Sequence, residues 1–403
     1  MDSLLLLPSG APFRIDQVTS SPALLGGLVF GQLLLASLLQ ATGQRRPLGL
    51  WWVGFGLMLG LETLFFGLAS WGTSDIAKLN VFFALDRAGQ TVGEPFWALA
   101  GPLVLRLPYR MAAVHGLVAA GYGAAAMLLA RHWGVPALAG WWSLLITASP
   151  LLRGLLQNGQ TRQALAVLLI LPLMLRVARL LSIRMPLLAG SVLWSALCHT
   201  SFPANLGFAL APVLVRGQGR GQRLRQIPRL GWWVALAALG VGGLLGLLAP
   251  ALRTKLHDYT GAMTFFSHYA VRREVLALEL CMGLSVLGTA WRRQLGAAQL
   301  AACDRSRLLL LFGLLYGTLQ ATVWWEWFPQ ITFRLADPVG LFLLISFLAW
   351  LHRYRAHSLV LPLLLVTLAS WLLERVLPSG QLPCGHNDEF LCIPDRMPWL
   401  IRY

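Results

Sequence analysis

The chain has 403 residues, 57% of them hydrophobic and only 12% charged, and carries a net charge of +16. Soluble domains run at about 45–50% apolar and about 25% charged residues, so a water-exposed surface around one core is excluded. In a soluble protein the basic excess would suggest nucleic acid. Here the basic residues fall in short segments between apolar runs, where the positive-inside bias puts them, and no nucleic acid is expected as a partner.

The start, MDSLLLLPSG, has a short apolar run with no basic segment before it, so no cleavable signal peptide is expected. Beyond it, apolar runs of roughly 20 residues recur along the chain, each long enough for a helix to cross a bilayer. Leu, Ala and Gly dominate them, with little alternation, which favours helices over barrel strands. Spans are expected at about 23–43, 48–70, 95–106, 111–130, 161–180, 186–199, 203–215, 231–251, 274–291, 308–323, 338–351 and 358–376. The segment 133–152, WGVPALAGWWSLLITASPLL, is ambiguous: it could be interfacial or re-entrant, with Trp133, Trp141 and Trp142 suited to a headgroup belt, and the span count of about eleven to thirteen turns on it. The expected fold is all-α: a polytopic transmembrane helical bundle of about 12 spans, within about 11–13.

The whole chain, 1–403, reads as one integral membrane domain. Its loops alternate in charge. Arg45/Arg46, Arg106 to Arg110, Arg176 to Arg184, the cluster at 216–229, Arg292 to Arg307 and His352 to His357 are expected in the cytoplasm. The opposite face is expected to hold a loop at 71–94, Arg131 to Arg162, a hairpin tip at His199, Arg253 to Arg273, Trp324 to Asp337 and a polar tail at 378–403. Both termini then lie outside. Cys198, Cys281 and Cys303 are isolated and read as small buried hydrophobes. Cys384 and Cys392, close together in LPCGHNDEFLCIP, are candidates for a disulfide, and the spacing does not suit a zinc site.

Ionisable residues in or beside membrane spans are costly and mark candidate sites. Three clusters stand out on the outer side. The loop after the second span holds Asp75, Asp86 and Glu94 among the chain's sixteen acids. Glu94 directly precedes Pro95, so it reads either as a helix N-terminus favoured by the dipole or as a working carboxylate. Asp75 reads equally as a turn and cap. In LLRGLLQNGQTRQALAVLLI, Asn158 and Arg162 lie one helical turn apart, with Arg153 before them and Gln163 after. Two arginines at the mouth of a span serve either as snorkelling side chains or as a guanidinium fork for a phosphorylated ligand. The third cluster is ALCHTSFPAN, with Thr200, Ser201 and Asn205 beside His199. Farther on, Glu326 and Arg334 lie in WWEWFPQITFRLADPVG, whose aromatics suit the interface or a sugar platform. There is no phosphate-cradling glycine loop and no helical pair of histidines with a glutamate, so a nucleotide-driven pump is not expected.

At these clusters the chain resembles the EpsG family of polysaccharide-biosynthesis membrane proteins, related to Wzy-type O-antigen polymerases and more distantly to GT-C glycosyltransferases. The resemblance rests on Gly72 to Asp75, Glu94-Pro95-Phe96, Arg162-Gln163-Ala164-Leu165-Ala166, His199 and Phe333-Arg334, in that order. The chain departs from the family where Ile76 follows Asp75, since an aromatic and then a Tyr usually stand there. The resemblance implies a GT-C/Wzy-like fold and a metal- and cofactor-independent membrane glycosyltransferase on the outer face of the bacterial inner membrane. It would join oligosaccharide repeat units carried on undecaprenyl diphosphate into O-antigen, capsule or exopolysaccharide, beside other polysaccharide-assembly membrane proteins.

In that reading Arg153, Asn158, Arg162, Gln163 and Arg334 bind diphosphate and glycan. His199 meets the donor phosphate or acceptor hydroxyl, and Glu94 or Asp75 is the base. Rival readings are a GT-C transferase of single sugars from a polyprenyl-phosphate donor, a lipid-linked oligosaccharide flippase, and a purely structural subunit. A flippase would place polar residues near the bilayer midplane.

Overall fold

The computed structural model describes residues 22–42, 48–69, 76, 79, 94–156, 160–215, 273–324 and 329–376. Asp75, Asn158, Cys384, Cys392, the expected span at 231–251 and the basic loop at 216–229 lie outside them, as do the tail and most of the loop at 71–94. All regular structure among the described residues is helical. The principal helices are α1 (Pro22–Thr42), α2 (Leu48–Ala69), α3 (Pro95–Val104), α4 (Met111–His132), α5 (Ala139–Thr147), α6 (Thr161–Val177), α7 (Met185–Cys198), α8 (Phe202–Leu210), α9 (Arg273–Arg292), α10 (Asp304–Trp324), α11 (Pro329–Arg353) and α12 (Val360–Val376). Stretches within α1, α2, α4 and α11 are long and apolar enough to cross a membrane, as a membrane protein requires; α3, α7, α8 and the start of α12 are apolar but shorter.

Side-chain contacts define two ends of the bundle. At one, Trp133 at the close of α4 donates to the Leu180 carbonyl just past α6, at 3.3 Å, and stacks on His352 near the end of α11. Arg305 at the start of α10 donates to the Ala178 carbonyl, and Arg293 just past α9 to that of Tyr354. Arg131 lies over Trp51 and Trp52 at the start of α2. This is the arginine end. At the other, His115 near the start of α4 meets Thr161, the first residue of α6, and Arg162 meets Glu94 just before α3.

This geometry corrects the expected alternation at two places. Both ends of α3 lie at the Glu94 end, because Trp97 and Val104 share a buried cluster with Met111 and Ala112 at the start of α4. At ten residues, about 15 Å, α3 is half the length of a crossing. It buries Trp97, Gly101 and Val104 on one side and exposes Leu99 and Leu103 on the other. Arg106 and Arg110 therefore belong with Glu94, whereas Arg131 joins the arginine end.

The second place is 133–152, which the sequence leaves open and which here runs through the bundle from one end to the other. Every residue of α5 is buried, Trp141 and Trp142 included. The chain leaves the arginine end at Trp133 and arrives at Leu156, whose carbonyl meets His115 Nε2 at the Glu94 end. This nine-residue helix is buried on every side, and its two hydroxyl residues, Ser143 and Thr147, turn to Glu62, so it fills the bundle interior. Gly140 makes this possible, since a Cβ there would lie 2.7 Å from Ala36 Cα of α1.

Close approach of α2 and α4 comes from small residues. Ala112, Gly116, Ala119, Gly123, Ala126 and Ala130 form one stripe along α4, all of them buried. Small residues let helix backbones meet where lipid supplies no hydrophobic drive. A Cβ on Gly116 would lie 2.2 Å from the Thr63 carbonyl oxygen, and one on Gly123 would lie 2.0 Å from Glu62 Oε2. Glu62 is fully buried there, taking a 2.6 Å hydrogen bond from Ser143 of α5.

Gly116→Ala forces α2 away from α4 and costs about 1–3 kcal/mol of stability by thermal unfolding in nanodiscs. Gly60→Ala, with nothing within 4 Å of its Cβ, leaves the midpoint unmoved. In a cysteine-free background, His132→Cys and Ser182→Cys react with an impermeant maleimide from the same side of sealed vesicles, and Arg106→Cys and Thr200→Cys from the other. All four native side chains are exposed. Labelling of His132→Cys together with Thr200→Cys would contradict the two-ended arrangement.

Candidate functional site

Glu94, Arg162 and His199, three residues singled out from separate stretches of sequence, converge at one point. Glu94 occupies the N-cap of α3 with extended backbone, and Pro95 begins the helix with the φ it needs. Its carbonyl accepts from the Trp97 and Ala98 N–H groups, while its side chain makes no capping bond. The carboxylate is therefore not serving its own helix. Oε2 accepts from Arg162 Nη1 at 2.8 Å, and Oε1 accepts from the Thr200 backbone N–H at 3.3 Å. The Glu94 side chain is only 2% exposed and that of Arg162 17%. Arg162 thus turns inward to a carboxylate instead of snorkelling to lipid phosphate.

Three elements hold this pair. Arg162 follows the first residue of α6, and His115 pins that start from α4: Nδ1 meets Thr161 Oγ1 at 2.9 Å and Nε2 meets the Leu156 carbonyl at 2.8 Å. A carbonyl can only accept, so Nε2 donates and Thr161 donates to Nδ1. Tyr122, farther along α4, donates to the Ala164 carbonyl at 2.8 Å. Trp97 ties α3 to the end of α7, its indole N–H donating to the Cys198 carbonyl at 2.9 Å, while Phe96 packs edge-on against Trp194. The turn from α7 into α8 then delivers His199 and Thr200 to the carboxylate.

His199 is buried, 7% exposed. Its Nε2 lies 3.9 Å from Glu94 Oε1, too far for a direct hydrogen bond. Its Nδ1 faces the Ser201 hydroxyl at 2.7 Å. The site therefore presents a guanidinium, a carboxylate and an imidazole nitrogen within one small region, the last two 3.9 Å apart.

The remaining expected site residues are placed less closely. Gln163 is buried in the first turn of α6. Arg153 opens a short helical turn, Arg153–Leu156, which leads to the Glu94 end. Arg334 lies in the part of α11 toward that end, three residues before the buried Asp337. Cys198 is buried, as expected; Cys281 and Cys303 are only partly so.

His115 and Glu62 escaped notice in the sequence, although an ionisable residue inside an apolar run was the available signal. Trp97 and Tyr122 carried no signal, because an aromatic in a membrane helix is unremarkable until its partner carbonyl is known.

A buried pair costs most when only one partner remains. Arg162→Ala is expected to lower stability by about 3–5 kcal/mol, since it strands the Glu94 carboxylate. The double variant with Glu94→Ala recovers part of that loss in thermal unfolding; additive losses would mean that the two charges do not interact. Compared with known proteins, the chain matches no family model, no curated protein and no solved structure.

Proposed function

We propose that this chain is a membrane glycosyltransferase of the polysaccharide-polymerase type, joining oligosaccharide units carried on undecaprenyl diphosphate. The observation that supports it is the meeting of Glu94, Arg162 and His199 at one end of an apolar bundle. These are the residues through which the sequence resembles the EpsG family. In this reading the bundle has about twelve spans, with the short α5 segment taking the crossing first expected of 95–106. The arginine end faces the cytoplasm, as the positive-inside bias favours, and the Glu94 end faces the outer side of the inner membrane.

The chemistry follows from the atoms present. A hydroxyl of the acceptor glycan approaches beside Glu94 Oε1 and His199 Nε2, which lie 3.9 Å apart, donating to the first and accepting from the second. Its oxygen attacks the anomeric carbon of the donor sugar. The bond from that carbon to the phosphate oxygen breaks, the diphosphate leaves on its lipid, and the hydroxyl proton passes to the Glu94 carboxylate. Arg162, with guanidinium N–H groups beyond the one bound to Glu94, stabilises charge on the departing diphosphate. Backbone contacts to Thr200, Cys198 and Leu156 hold these groups in place before substrate arrives, which is where positioning lowers a barrier.

A second reading has one specific observation in its favour. Glu62, buried among α2, α4 and α5, is an ionisable group inside the bundle such as a lipid-linked oligosaccharide transporter would use. A single-sugar transferase would use the Glu94 cluster itself.

One experiment separates the three. In a strain lacking the gene, the wild-type chain restores a ladder of glycan lengths on gels. Arg162→Ala and His199→Ala each lower it by about 10²–10³-fold. A product longer by one sugar indicates the transferase, and lipid-linked units trapped inside the cell indicate the transporter. Wild-type ladders from both variants would overturn the site.

A further inference from the structure

Ser201 stands at the N-cap of α8, where a serine hydroxyl ordinarily accepts a hydrogen bond from the first N–H groups of its own helix. It makes no such bond. Its hydroxyl is instead 2.7 Å from His199 Nδ1 and accepts from Asn205 Nδ2 at 3.1 Å. Asn205 lies one turn into α8 and is completely buried. The Ser201 backbone N–H donates to the same His199 Nδ1 at 3.0 Å.

That last bond decides the direction of all the others. A backbone N–H can only donate, so Nδ1 offers its lone pair and the ring proton resides on Nε2. With Nδ1 an acceptor, the Ser201 hydroxyl donates to it and turns its own lone pairs toward the Asn205 amide. The Asn205 amide must then present nitrogen, which fixes its orientation as well. The charged groups facing the ring are Glu94, whose Oε1 is 3.9 Å from Nε2, and Arg162 on the other carboxylate oxygen.

We infer that Asn205 and Ser201 form a donor relay that holds His199 in the Nε2–H form, so that the face turned toward Glu94 is a hydrogen-bond donor. Both are positioning residues, acting through His199. The ligand atom His199 meets is then an acceptor oxygen, of a sugar or of a phosphate, and the proton taken in the reaction goes to the carboxylate. The consequence for catalysis rests on the glycosyltransferase reading; the tautomer does not.

The test is heteronuclear NMR of the purified full chain in nanodiscs, with isotope-labelled histidine and the His199 signal identified by its loss in His199→Gln. The wild-type ring shows a protonated Nε2 and a bare Nδ1, and Ser201→Thr, which keeps the hydroxyl, shows the same. Asn205→Asp places an acceptor-only carboxylate behind Ser201 and draws its O–H away from the ring. It shifts the ratio toward a protonated Nδ1 by about tenfold, the equivalent of about 1.4 kcal/mol. A protonated Nδ1 in the wild type overturns the relay, as does an unchanged ratio in folded Asn205→Asp.

If Asn205→Asp fails to fold, Ser201→Ala against Ser201→Thr makes the same comparison. A shift in the alanine variant alone supports the relay, and equal spectra overturn it. No glycan enters this measurement, so loss of the polymerase reading and loss of the relay are separate results.

Discussion

The ion pair between Glu94 and Arg162 is the constraint on which this end of the molecule depends. It joins the start of a short helix that does not cross the bundle to the start of one that does, across 68 positions of sequence. A carboxylate 2% exposed at the edge of a membrane is tolerable only with a cation and further donors around it. Arg162 supplies the cation, and the Thr200 backbone N–H supplies another donor. Because that N–H belongs to the turn between α7 and α8, satisfying Glu94 also sets where His199 lies. Structural need and candidate chemistry are thus met by the same three groups.

Around the pair, the bundle is held by backbone geometry and by a few polar side chains bonded to carbonyls. The small-residue stripe of α4 brings it against α2, and Gly140 lets α5 sit beside α1. Trp97, Tyr122, His115 and Ser195 each bond a carbonyl of a neighbouring element: Cys198, Ala164, Leu156 and Ala166 in turn. Hydrogen bonds of this sort replace the hydrophobic drive that is missing between helices in lipid. Their effect is concentrated near the starts of α6 and α3, which is where positional accuracy matters to the site.

Much of this was legible in the sequence, and the reasons for the rest are physical. Helix positions were readable because each apolar run must satisfy its own backbone, so α1, α2, α4, α9 and α12 begin and end close to the expected limits, while α10 and α11 begin earlier, at Asp304 and Pro329. Glu94, Arg162 and His199 were readable because charge beside a span is rare. Direction through the bundle differs from expectation at α3, and α5 was left open. An apolar ten-residue helix on the rim and an apolar nine-residue helix in the core have the same composition, and only their neighbours tell them apart. The roles of Ser201 and Asn205 were hidden for a different reason: a serine at a helix start reads as a cap, and its hydroxyl had gone elsewhere.

Ala69 and Met111 lie at the same end of the bundle: a Cβ on Gly67, near the end of α2, would touch the Ala112 carbonyl. The chain between them therefore contributes an even number of crossings. The orientation of every helix that follows depends only on that parity. With Gly67 held against Ala112 and Glu94 bonded to Arg162, the orientation of α4 and α6 is set by contacts at that one end.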